Sequence, residues 1–255
     1  MMSVELAYEA FGIPNDCPII ILHGFLASSR NWRSIAKRLA DKHFVYVLDM
    51  RNHGSSPHAE NMDYPLMSHD IAQFMHDKSL ERVHLLGHSM GGKVAMWFAL
   101  NYPERVEKLM VVDIAPVSYE HSFDPIIHAL KQIPLSELNN RKEAETYLED
   151  KIPDLGFRQF LLQNLLLKNG NYYWRINLDF IQKTAHYIVG FPVAHVKAYP
   201  KQVLFIAGEH SSYIQPEMIY QNFPEATIIE ISGTGHWLYV EAPDEFCNVI
   251  HQWIQ

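Results

Sequence analysis

The chain has only two cysteines in 255 residues, Cys17 and Cys247, near its opposite ends. Two thiols so far apart supply neither a disulfide framework nor a cysteine-based zinc site, and a reducing compartment is the default. Positive charge is thin: 21 Lys and Arg stand against 29 Asp and Glu, a formal net charge of −8, with no basic cluster. That balance argues against nucleic acid or an anionic membrane surface as a partner. No run of 18 apolar residues occurs, and Met1-Met2-Ser3-Val4-Glu5 has no basic segment leading into an apolar one. Neither a membrane span nor a secretory leader is expected, so the expected setting is the cytoplasm. No internal repeat, low-complexity tract or H-E-x-x-H is found among the fifteen histidines. His84 and His88 are four apart, but a strand running into a turn does not align them as a helix would, and no metal is expected.

What is present is a 48% hydrophobic chain, enough for one sizeable core. Short runs that are apolar at almost every position, 18–22, 45–49, 83–86 and 109–113, alternate with helical periodicity over 31–40, 68–77 and 93–102. Such runs are strands buried on both faces, and their alternation with helices implies right-handed crossovers and a parallel sheet. The alternation breaks over 117–199, where helices are expected at 124–133, 136–150, 153–168 and 178–188, with a strand-like piece at 172–177. It resumes with strands at 203–208 and 227–231 and a helix at 244–253. The expected organisation is an α/β core from 1–116 and 200–255, with a mainly helical lid, 117–199, inserted in it.

Between the run at 83–86 and the helix at 93–102 stands Gly87-His88-Ser89-Met90-Gly91-Gly92. A G-x-S-x-G in that context is a nucleophile elbow: a turn so sharp that the serine is strained and side chains at the glycines would collide. The turn lifts the Ser89 hydroxyl above the sheet and aims the Met90 N–H at the place where an oxyanion would form. Ligands of open parallel sheets bind beyond the carboxyl ends of the strands. His23-Gly24-Phe25, Asp49, Ser89 and Asp113 all fall at such ends, and His236 lies in the loop after the last strand.

These segments resemble the α/β-hydrolase superfamily. The HG dipeptide at 23–24, Asp49-Met50-Arg51-Asn52-His53-Gly54-Ser55, the elbow, Val112-Asp113-Ile114-Ala115-Pro116 and Gly235-His236-Trp237 together are similar to the small bacterial YbfF-type esterases. The resemblance spans the core and is weaker over the lid. It implies a mostly parallel sheet flanked by helices, a Ser-His-Asp triad, an acyl-enzyme, no cofactor, and a small ester or acyl-CoA thioester as substrate. Ser89 would be the nucleophile and His236 its base, in the family's chain order. The N–H of Phe25 would join that of Met90 in the oxyanion hole.

The acid departs from the wider fold, whose G-x-x-D pattern would place it where this chain has Ser211, in Gly208-Glu209-His210-Ser211. Asp113 is the expected acid and Glu209 its rival; alternatively Asp113 anchors the following loop. Arg51, Asn52 and His53 either touch substrate or tie the Asp49 loop to its neighbours. Asp70 is read as a charge favoured by a helix dipole, and Glu241 as structural. Tyr172, Tyr173, Trp174, Tyr187 and Phe191 either line an acyl pocket or glue the lid to its base, while His23 and Trp237 are pocket candidates on the core side. The same triad could serve carbon–carbon hydrolysis, a lyase or synthase, or an aminopeptidase, and the fold could serve a ligand receptor; fold analogy does not separate these. Dehalogenase and epoxide hydrolase chemistry is disfavoured, because those relatives carry Asp where Ser89 stands.

Overall fold

The computed structural model describes residues 3–192 and 197–255. Positions 193–196 of the expected lid, and Met1 and Met2 of the N-terminal stretch, lie outside the described residues. The first half runs β1 (Tyr8–Phe11), β2 (Ile19–Leu22), α1 (Arg33–Leu39), β3 (Val45–Leu48), α2 (Tyr64–Asp77), β4 (Val83–His88), α3 (Met90–Asn101) and β5 (Val106–Val112). An inserted region follows: α4 (Asp124–Lys131), α5 (Arg141–Leu148), α6 (Leu155–Leu162), the hairpin β6 (Leu165–Lys168) and β7 (Asn171–Trp174), and α7 (Leu178–Val189). The chain ends with β8 (Val203–Gly208), α8 (Pro216–Asn222), β9 (Ala226–Ile231), α9 (Leu238–Glu241) and α10 (Pro243–Ile254).

The main sheet has seven strands in the order β1-β3-β2-β4-β5-β8-β9, all parallel except β1. Strands β2 and β8 are buried at every residue, as their unbroken apolar runs require. Alternate side chains serve two cores. Ile19, Ile21, Val45 and Val47 pack with Trp32, Ile35 and Leu39 near α1 and with Phe246 and Ile250 of α10. Ile20, Leu22 and Leu48 face α2 and α3 through Met67, Ile71, Val94 and Phe98, in a core that continues into the inserted region. Chain progression reverses between β2 and β4, and the crevice at such a switch point is where open α/β sheets bind ligands.

Several boundaries differ from the sequence expectation. Strand β1 carries no apolar run; its residues alternate between exposed and half-buried and form an antiparallel edge on β3. Helix α2 begins at Tyr64 rather than 68, because Asp63 accepts from the Leu66 N–H at 2.8 Å and Pro65 occupies the first turn. The expected helix over 153–168 stops at Leu162. Residues 165–168 instead pair with 171–174 across Asn169-Gly170, both at positive φ (51° and 80°), the backbone of a type I′ hairpin turn. The helix read over 136–150 is confined to α5, behind an Asn140 cap. No helix among the described residues is long and apolar enough to cross a membrane. Both cysteines are free.

Candidate active site

Ser89 sits between the last residue of β4 and the first of α3 with φ 53° and ψ −120°. A non-glycine residue in that region costs of order 1–3 kcal/mol and persists only where its surroundings enforce it. Here the Ser89 N–H donates to the Val112 carbonyl at 3.1 Å and its carbonyl accepts from Lys93 N–H at 3.0 Å. A Cβ on Gly87 would strike the backbone of Gly91, and one on Gly91 would strike the carbonyl of Leu22, so both positions require glycine.

Asp113 follows β5 directly, at φ 52° and fully buried. Its Oδ2 accepts from His236 Nδ1–H at 2.7 Å and from the Ser211 hydroxyl, while Oδ1 accepts from the Gly208 N–H at 3.1 Å. The serine at the position where the wider fold keeps its acid therefore serves as a donor to the carboxylate that follows the neighbouring strand. Glu209 accepts instead from the Ser232 hydroxyl (2.8 Å) and the Gly233 N–H (2.6 Å), which together hold its carboxyl below the usual range. It takes no part in the His236 contact.

The approach to His236 is fixed at the two residues before it. Glu241 accepts from the Gly235 N–H at 2.6 Å and the His210 N–H donates to the Thr234 carbonyl at 2.8 Å. The imidazole lies between the rings of His88 and Tyr213, with centroids 4.6 and 4.4 Å away. With Nδ1–H given to Asp113, Nε2 holds a lone pair, the tautomer a general base needs. His88 donates from Nε2 to the His236 carbonyl at 2.9 Å, and burial holds it neutral, well below the usual histidine range.

The loop after β2 is set by two more buried, neutral histidines. His23 donates from Nδ1 to the Gly24 carbonyl (2.8 Å) and accepts at Nε2 from the Met50 N–H (3.0 Å). His53 donates from Nδ1 to the Arg51 carbonyl (2.9 Å) and accepts at Nε2 from the N–H of Leu26, itself at φ 60° (3.1 Å). Burial pushes His53 down to about 3 and lowers His23. No acceptor meets the Phe25 or Met90 amide among the described residues, so both N–H groups are available to a bound oxygen. Asn164 of the inserted region donates to the Leu26 carbonyl at 2.7 Å and so braces the same loop.

Ser89 and His236 line a cavity of about 420 Å³. Its walls are mostly apolar: Phe25 and Leu26, Phe123, Ile126, Phe157 and Phe160 from the inserted region, and Tyr213, Trp237 and Tyr239, with His88, His121 and Ser122 as polar members. Of the residues expected to line the substrate pocket, Trp237 alone lines this cavity. His23 is buried beneath the loop. Tyr172 packs on the main core, and Trp174 lines a separate cleft with Ile176 and Leu178. Tyr187 is half exposed beside Phe191 on another face. The phenylalanines that do line the cavity sit in stretches read only as amphipathic helix, where no sequence signal separates lining from packing.

Other polar groups at the strand ends are structural. Arg51 forms a buried bidentate pair with Asp70 (2.6 and 2.7 Å) and also donates to the Asn61 carbonyl. Asp70 is thus an ion-pair partner in the middle of α2 rather than a charge on its first turn. Asp49 accepts from the N–H groups of Ser29 and Ser55. Buried Lys93, which the motif gave no reason to single out, donates to the carbonyls of Val189 and Gly190 (2.9 and 2.7 Å), at the carboxyl end of α7. Burial pushes its ammonium down to about 7. No cluster of metal-ligating side chains occurs among the described residues.

The profile of a family described as alpha/beta hydrolase fold matches residues 18–243. The chain is 37% identical over 264 residues to an sn-1-specific diacylglycerol lipase ABHD11 of Xenopus laevis, covering 99% of this chain and 84% of that protein. It is 32% identical over 244 residues to Esterase YbfF of Escherichia coli strain K12, covering 94% of each. A solved marine microorganism esterase is 41% identical and superposes with a TM-score of 0.94 over 98% of this chain and all of that one.

Proposed function

Since the chain belongs to the α/β-hydrolase family and is a hydrolase of the esterase and lipase type, we propose that it cleaves small carboxylic esters and thioesters through a Ser89-His236-Asp113 triad. The observation that carries this reading is the 2.7 Å hydrogen bond from His236 to Asp113 beside a cavity that Ser89 also lines. Ser89 Oγ attacks the acyl carbon as its proton passes to His236 Nε2. The Phe25 and Met90 amides receive the oxyanion, each such donor being worth about 3 kcal/mol. His236 then returns the proton to the leaving group. Asp113 holds the ring in the base tautomer and steadies the imidazolium, with Ser211 and Gly208 steadying Asp113. Water deacylates the enzyme by the same steps, and side chains alone supply nucleophile, base and acid.

The cavity falls in the lower part of the roughly 300–1,000 Å³ range of small-molecule sites, which suits short to medium acyl groups. Residues 117–199 act as its lid: Phe123, Ile126, Phe157 and Phe160 form one wall, and Asn164 ties that wall to the oxyanion loop. The free thiols suit a cytoplasmic setting. The test is hydrolysis of p-nitrophenyl esters from acetate to palmitate by the wild type and Ser89→Ala. Turnover with a short- to medium-chain optimum, lost in the variant together with labelling by a fluorophosphonate probe, is the expected result. Equal turnover by Ser89→Ala would overturn the assignment.

A further inference from the structure

A second groove of about 490 Å³ meets the Ser89 cavity at Phe160, Trp237 and Tyr239, which line both. Its chemistry is different. Away from that shared aromatic rim its side chains include Asn31, Asp154, Gln159, Gln163 and Glu241, with no Lys, Arg or His among the described lining residues.

The hydrogen bonds already made within the groove define what is left for a ligand. Asp154 Oδ1 accepts from the Phe157 N–H, leaving Oδ2; Glu241 Oε2 accepts from the Gly235 N–H, leaving Oε1. Gln159 uses its amide nitrogen on Glu145, leaving its oxygen, and Gln163 uses its oxygen on Asn31, leaving its nitrogen. Three acceptor oxygens, two of them on carboxylates, are thus left on side chains that line the groove, beside the free amide N–H groups of Gln163, Gln159 and Asn31. Such a set accepts hydrogen bonds from hydroxyl groups. It offers a phosphate no cationic partner, and its two carboxylates add like-charge repulsion.

Resting on the reading of Ser89 as nucleophile, we propose that this groove is the leaving-group subsite and that it selects uncharged, polyhydroxylated alcohols over phosphate-bearing thiols such as coenzyme A. The acyl group occupies the apolar cavity, the ester linkage lies at Ser89, and the alcohol crosses the Trp237 rim into the groove. When the Ser89 Oγ–acyl bond forms and the acyl C–O bond breaks, the departing alkoxide takes the proton that His236 received from Ser89. The released alcohol then faces the free oxygens of Asp154, Gln159 and Glu241.

The experiment holds the acyl group constant and varies what leaves: glyceryl monobutyrate, butyryl-N-acetylcysteamine and butyryl-CoA, with p-nitrophenyl butyrate reporting on the chemistry itself. The two thioesters share a reacting bond and differ in the pantothenate arm, nucleoside and phosphates beyond the cysteamine, so the response of their ratio to the variant and to salt isolates the groove's charge. We expect kcat/KM for butyryl-CoA to fall at least tenfold below that for butyryl-N-acetylcysteamine and for glyceryl monobutyrate. The double variant Asp154→Asn, Gln159→Lys should narrow the thioester gap at least fivefold, and added salt should narrow it in the wild type. Both positions are exposed and Asn still caps α6, so the variant folds. Equal use of the two thioesters by the wild type, or a ratio unmoved in the folded variant, overturns the subsite. Failure to cleave p-nitrophenyl butyrate at all overturns instead the nucleophile assignment on which it rests.

Discussion

Replacing Asp113 with Asn separates an orienting acid from a loop anchor. Three donors converge on this carboxylate: His236 Nδ1–H and the Ser211 hydroxyl on Oδ2, and the Gly208 N–H on Oδ1. A carboxamide has one accepting oxygen. If that oxygen takes the Oδ2 place, the amide nitrogen confronts the Gly208 N–H, donor against donor. If the nitrogen takes it, the imidazole must accept at Nδ1 and carry its proton on Nε2, where it is no base for Ser89. The second arrangement relieves the clash and abolishes the function. We therefore expect kcat to fall by about three to four decades, or about 4–5.5 kcal/mol of transition-state stabilisation at 1.36 kcal/mol per decade. Ser211→Ala removes one hydrogen bond to a charged group, about 1.5–3 kcal/mol, and should cost about one to two decades. Steady-state kinetics on p-nitrophenyl butyrate, with circular dichroism to verify folding, measures both. Asp113→Asn within tenfold of wild type would refute the assignment, and Glu209→Gln should stay within about threefold.

Acid should destabilise the protein through its buried histidines. His53 (about 3), His84 (about 4), His23 and His88 all titrate below their ordinary value near 6.5 when folded. Between those values the unfolded chain binds protons that the folded one refuses, so stability present above pH 6.5 drains away as pH falls toward 3–4. Urea midpoints from pH 7.5 to 4.5 should fall, and His84→Leu should remove about one proton from the slope. Lys93, near 10.5 when unfolded and about 7 in place, contributes stability that is full above pH 10.5 and lost as pH falls to about 7; Lys93→Met should remove that alkaline rise in the melting temperature. The same variant strips the end of α7 of its two ammonium donors, and limited proteolysis should cut faster within 117–199. Asn164→Ala unpins the Leu26 carbonyl and should lower kcat by about tenfold with little change in KM, because a displaced Phe25 amide weakens only the transition state.

The sheet was legible wherever burial was complete. Strands β2, β4, β5 and β8 announce themselves as apolar runs because both faces are covered, while β1, an exposed antiparallel edge, has no such pattern to read. The helix expected over 153–168 would end at Asn169-Gly170, but the same dipeptide between two strand-like runs is a hairpin signal; Leu165 to Lys168 suits either element, and only pairing with β7 decides. Ser89 and Asp113 stand out as candidates because each directly follows a strand that short-range patterning locates, and His236 because it lies in the loop after the last strand. The wall of the cavity does not, since whether Phe157 or Tyr172 faces Ser89 depends on how the inserted elements dock, a long-range matter that helical or strand periodicity does not encode.

Asp113 is also the first residue after β5, where the chain leaves the sheet for the inserted region. On the proposed triad, any movement of the roof over Ser89 therefore pulls on the chain at the residue that orients the base. The backbone N–H of Asp113 is tied to the Ile206 carbonyl (2.8 Å), and two residues on, the Ala115 N–H is held by the Tyr119 hydroxyl, which reaches on to the Tyr213 carbonyl. These ties act as a strain relief on a cable: force entering from the inserted region is discharged into the sheet and the Tyr213 loop before it reaches the carboxylate. An enzyme built this way can let its roof move to admit a substrate while the alignment of its proton relay stays as the sheet sets it.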